Sequence, residues 1–100
     1  MIDLTPDQFA EVRRILAEVV PECEVRAFGS RVTGKAARFS DLDLVLVANQ
    51  PIDWRRLEAL KDAFAESDLP FMVDVVDSSA LSDSFRALTA AQSEILHPGA

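Results

Sequence analysis

The sequence predicts an α+β fold: a small mixed β-sheet in a two-layer arrangement, with helices packed on one side. Two observations predict it. Apolar residues recur at helical spacing in three stretches, and short aliphatic runs of strand length alternate with them. The resulting order is helix, strand, loop, strand, helix, strand, helix, which suits a mixed sheet covered by helices.

The first helix opens at Thr5-Pro6-Asp7-Gln8. Thr5 can cap it, Pro6 suits the first helical position, and Gln8 completes a capping box. Phe9, Val12, Ile15, Leu16 and Val19 form its apolar face, and Pro21 ends it. Residues 24–28 alternate and read as a strand. Gly29-Ser30 breaks that strand, and residues 31–40 read as a loop with room for one helical turn. Leu42 to Val47 is a dense aliphatic run, expected as a buried strand beside the first. Asn49-Gln50-Pro51 is a turn, and Asp53 is a candidate cap for a helix whose apolar face is Trp54, Leu57, Leu60 and Phe64. Phe71 to Val76 reads as a third strand. Ser79 or Ser82 caps a last helix carrying Leu81, Phe85 and Leu88, and Ile95-Leu96 can form a final strand.

Composition narrows the function. The 100 residues fit one domain, 1–100, large enough to bury a core without staples. The formal net charge of -7 repels a phosphate backbone, so direct nucleic-acid binding is not expected. Cys23 is the one cysteine, which excludes an internal disulfide and argues against a thiol zinc site. His97 has no second histidine beside it to share a metal. No apolar run is long enough to cross a bilayer, and the N-terminus runs into a capped helix rather than a signal peptide, so a cytoplasmic protein is expected.

Chemistry concentrates between residues 29 and 43. Asp41 and Asp43 flank Leu42 at the start of a buried strand, so both carboxylates share one face, with Cα atoms roughly 6.5 Å apart. Two such carboxylates repel each other, and a hard divalent cation such as Mg²⁺ relieves the repulsion. Asp74 interrupts the third apolar run and can complete a three-carboxylate set, able to hold two ions about 4 Å apart. Asp77 is a rival third ligand, though beside Ser78-Ser79 it also reads as a turn or cap residue. Gly29 allows close approach of backbone to phosphate, and Ser30 offers a hydroxyl. Arg31, Lys35 and Arg38 follow, either as phosphate partners or as a solvated loop.

The stretch GSRVTGKAARFSDLDLVLV resembles the signature of the DNA polymerase β-like nucleotidyltransferase superfamily: Gly-Ser, ten residues, then Asp-x-Asp. Its details resemble the smallest branch, the minimal nucleotidyltransferases of bacteria and archaea, and PFMVDVVD resembles that branch's later strand. The likeness runs from about Val25 to Asp77. It implies a polymerase β-like core in which Asp41, Asp43 and Asp74 bind Mg²⁺ and carry catalysis. Gly29, Ser30 and Arg31 would hold the triphosphate of ATP. It further implies an antitoxin that transfers AMP to a tyrosine hydroxyl of an all-helical HEPN ribonuclease toxin. Two rivals stand beside this: a module that neutralises its partner by occlusion, and a small-molecule adenylyltransferase. The latter carries an extra helical domain, for which the roughly twenty residues after Asp77 leave little room.

Overall fold

Thr5 caps α1 (Pro6–Val19) in the computed structural model, which describes residues 2–37, 39–47 and 51–99. The capping box is complete: the Gln8 N–H donates to the Thr5 hydroxyl, and the Thr5 N–H donates to the Gln8 side chain. β1 (Glu24–Phe28) follows, then a single helical turn, α2 (Ser30–Thr33), and β2 (Leu42–Val47). α3 (Trp54–Ala65) leads to β3 (Val73–Asp77), a 3-10 turn (Ser78–Ala80), α4 (Asp83–Ala91) and β4 (Glu94–His97).

The sheet order is β3-β2-β1-β4. β1 pairs antiparallel with β2 and with β4, while β2 and β3 run parallel. The mixed sheet is therefore as the element order predicts, and Ile95-Leu96 does belong to a final strand. Alternation along each strand separates two faces. Val25, Ala27, Leu42, Leu44, Leu46, Val75 and Leu96 are buried, packed in one core with Val12, Ile15 and Leu16 of α1 and Leu60 and Phe64 of α3. Glu24, Arg26, Phe28, Asp43, Val45, Asp74 and Val76 occupy the other face.

Two helical details differ from the sequence reading. Trp54 is 67% exposed rather than in the core, with the Arg55 guanidinium 5.5 Å from its ring. It is the first residue of α3, and the apolar stripe that packs against the core begins at Leu57. α4 departs from the one-sided helical layer. Its Phe85 ring meets Phe28 edge-to-face at 6.0 Å, on the sheet face opposite α1 and α3. Phe85 and Leu88 are nevertheless 41% and 50% exposed, and the buried residue of this helix is Thr89. Spacing predicts a shared face, but only a neighbouring element can bury it. Of the two candidate caps, Ser82 accepts from the Phe85 N–H.

Residues 49 and 50 of the expected turn lie outside the described residues. Just before α3, the Ile52 N–H donates to Asp77 at 2.7 Å. The other oxygen of Asp77 accepts from the Ser79 N–H at 2.9 Å. Asp77 is thus a buried latch between the start of α3 and the end of β3, which accounts for it as a cap rather than a metal ligand. Asp77→Ala leaves two donors without their acceptor and should lower stability by about 1–3 kcal/mol in a urea melt, with the sheet intact.

An exposed pair braces the helical layer. Arg56 grips Glu22 through both carboxylate oxygens, at 2.5 and 2.6 Å, and also donates to the Val19 carbonyl. The guanidinium holds the Glu22 carboxyl down at about 2. His97 makes a contact of 3.0 Å with the Cys23 carbonyl through Nδ1, closing the chain end onto β1. That is a structural role for both residues.

Candidate active site

Register brings the acids together. Asp43 on β2 stands opposite Asp74 on β3 and opposite Phe28 on β1, so the row Asp74, Asp43, Phe28 crosses the sheet on its outer face. Gly29 follows Phe28 directly. Its φ of 81° and ψ of -156° form a backbone conformation reserved for glycine. A Cβ there would collide with Oδ2 of Asp43. The Gly-Ser break and the Asp-x-Asp strand, separated by ten residues, are therefore in van der Waals contact.

Burial gives Asp43 a raised pKa, and the charges of Asp74 and Asp41 push it further in the same direction. Asp41 precedes β2 and is exposed, and Asp74 is exposed on the edge strand. Among the described residues, no three His, Cys, Asp or Glu side chains close around a single point. Asp43 and Asp74 nonetheless stand side by side in register, with Asp41 two residues before Asp43. The donor chemistry still fits Mg²⁺: hard oxygens on adjoining strands, one of them held in a site where its own charge is disfavoured.

The loop between the two motifs is folded by side chains. The Ser40 hydroxyl accepts from the Ala37 N–H at 2.8 Å, so this serine shapes the turn before Asp41. Gly34 ends α2 in the left-handed conformation, and the Lys35 N–H returns to the Ser30 carbonyl. Lys35 is exposed, and Arg38 lies outside the described residues. Arg31 is placed against expectation. Its side chain is 4% exposed and donates to the carbonyls of Ser40 and Asp3, at 2.9 and 2.8 Å. Its guanidinium also lies 4.1 Å from the centre of the Phe71 ring. With these donors committed inside the protein, its guanidinium is a buried clip between loop segments. Its place beside Ser30 carried no signal of that; only the packing reveals it.

Two clefts flank the carboxylate row. One, of about 900 Å³, runs along Asp41, Asp74, Met72, Phe39 and Lys61. The other, of about 450 Å³, lies between Asp43, Asp74, Phe28, Phe85 and Leu81. Residues 6–96 match the family model for the central palm domain of mitochondrial-like poly(A) RNA polymerase. The chain belongs to this nucleotidyltransferase family.

Within the family, this nucleotidyltransferase is 45% identical over 87 residues to a probable protein adenylyltransferase, MntA, of Haemophilus influenzae, covering 87% of this chain and 76% of that protein. Its fold is similar to a crystal structure of a mutant MntA–HpeT toxin–antitoxin complex, with a TM-score of 0.74 at 23% identity, over 90% of this chain and 73% of that one. It is also similar to a toxin–antitoxin crystal structure with AMP-PNP, with a TM-score of 0.66 at 25% identity, over 90% of this chain and 73% of that one. No helix among the described residues is long and apolar enough to cross a membrane.

Proposed function

We propose that this chain is the antitoxin of a toxin–antitoxin pair and acts as a protein adenylyltransferase, moving AMP from ATP to a tyrosine hydroxyl of a HEPN-type toxin. One observation carries the catalytic part: the Gly29 backbone rests against the Asp43 carboxylate, with Asp74 next to it in register. Phosphate-holding and metal-holding groups thereby meet at one point. The relative named as a protein adenylyltransferase, and the similar toxin–antitoxin structure holding an ATP analogue, support the acceptor class and the nucleotide. Residues 1–100 act as one nucleotidyltransferase domain, and the reaction takes place in the cytoplasm.

In this reading Asp41, Asp43 and Asp74 hold two Mg²⁺ ions, and Gly29 and Ser30 hold the triphosphate. Bound Mg²⁺ neutralises phosphate charge and lowers the proton affinity of the acceptor oxygen. Asp74 takes the acceptor's proton. The acceptor oxygen forms a bond to the α-phosphorus as the bond from that phosphorus to the bridging oxygen breaks, and pyrophosphate leaves. The rate enhancement comes from positioning and charge neutralisation.

A transfer assay tests this. The purified protein is incubated with Mg²⁺, α-labelled nucleoside triphosphates and the helical product of the adjacent gene, and the product is read by intact mass. A gain of one or more AMP units, absent with the Asp41→Ala/Asp43→Ala protein, is expected. A stable complex without any gain would replace catalysis with occlusion. Neither gain nor complex would point to a small-molecule acceptor.

A further inference from the structure

The buried side chain of Arg31 touches every segment that carries the site. It belongs to α2, one residue after Ser30. Its Nε donates to the carbonyl of Ser40, whose next residue is Asp41. Its guanidinium stacks on Phe71. The next carbonyl along, that of Met72, accepts the Leu42 N–H at 2.9 Å, the bond that begins the β2–β3 pairing and sets Asp43 beside Asp74. The second donor contact reaches the Asp3 carbonyl, and the Asp3 N–H returns to the Arg31 carbonyl at 2.7 Å. The segment before α1 is thereby pinned to the same residue.

We infer that Arg31 is a positioning residue: it sets the spacing between the phosphate turn and the two strands bearing the metal-holding aspartates, and it does not contact phosphate. A planar fork with a stacking face is needed to reach two carbonyls while lying on an aromatic ring, and a lysine can supply only a point charge. A buried charge is costly unless its hydrogen bonds are made, and the bonds to Ser40 and Asp3 hold main-chain carbonyls, so they constrain the backbone. Groups that orient metal ligands from behind typically govern metal affinity as strongly as that role demands, by about 10–100-fold.

The inference rests on the adenylyltransferase reading for the metal, so the test begins with binding and not turnover. Mn²⁺ serves as the probe, its binding followed by electron paramagnetic resonance. A non-hydrolysable ATP analogue is titrated separately in chelator, without metal. Wild-type protein should bind Mn²⁺, and the Asp41→Ala/Asp43→Ala protein should not; failure at this step defeats the metal-dependent reading and the inference with it. Arg31→Lys, shown folded by circular dichroism, should weaken Mn²⁺ binding about 10-fold while metal-free analogue affinity stays within about twofold. Phe71→Leu, which removes the stacking ring from a core position and is likewise shown folded by circular dichroism, should shift Mn²⁺ affinity in the same direction by less, and it decides the matter if Arg31→Lys does not fold. Unchanged Mn²⁺ affinity in the folded variants would overturn the inference. So would a fall in metal-free analogue affinity in Arg31→Lys, which would return Arg31 to the phosphates.

Discussion

Replacing Asp43 with asparagine should lower AMP transfer by on the order of 10³-fold and, at neutral pH, raise the melting temperature of the metal-free protein. Both effects have the same cause. Asp43 is partly buried between Phe28 and Asp74, and burial and the neighbouring carboxylates raise its pKa above the ordinary 3.8. A group whose folded pKa is raised favours the folded state while it is protonated. That contribution is fully present below the unfolded pKa and is lost as the pH climbs through the folded one. At pH 7 the ionised Asp43 therefore weakens the fold, and asparagine removes the weakness. Thermal melts of both proteins from pH 3.5 to 8 would check this: the variant's advantage should appear on the neutral side and vanish near pH 4 and below. Saturating Mg²⁺ and ATP should reverse the order, because ligand binding stabilises only the protein that binds. A variant less stable than wild type throughout would contradict the electrostatic account.

Gly29→Ala should damage both stability and AMP transfer. The backbone at Gly29 lies in a region closed to other residues, costing about 1–3 kcal/mol, and the new methyl would push directly on the Asp43 carboxylate. A displacement of about 1 Å at a reacting centre can cost roughly 10²-fold in rate. Gly34→Ala is the control at the other end of α2, in the milder left-handed conformation. Gly34 has a φ of 83°, close to that of Gly29, but nothing lies within 4 Å of its added Cβ. It should lose about 1 kcal/mol of stability with transfer close to wild type. Chemical denaturation and transfer rates on the two variants separate the cost of an ordinary left-handed glycine beside α2 from the glycine-only backbone and the collision with Asp43, which only the first suffers. Equal transfer losses in both would mean that the α2 conformation, not the carboxylate contact, governs the site.

The sequence by itself determined the order of elements, the capping of α1, the strand positions and the Asp41-Leu42-Asp43 pattern. These depend on period, local turn chemistry and spacing, which are properties of a few neighbouring residues. It also marked Gly29 and Ser30, because a glycine at a strand end followed at fixed distance by paired acids leaves few other readings. Tertiary structure decided what those residues do to one another. Parallel pairing of β2 with β3 set Asp74 opposite Asp43, a fact of register between strands thirty residues apart. Trp54 and the Phe85–Leu88 face of α4 satisfied the helical pattern and still remained exposed, because burial needs a partner surface that periodicity cannot supply. The surroundings of Asp77 and Arg31 were set by the fold for a related reason. A carboxylate or guanidinium reads alike in sequence whether it meets a ligand or the protein's own backbone, and only the folded chain brought Ile52 to the first and Ser40, Asp3 and Phe71 to the second.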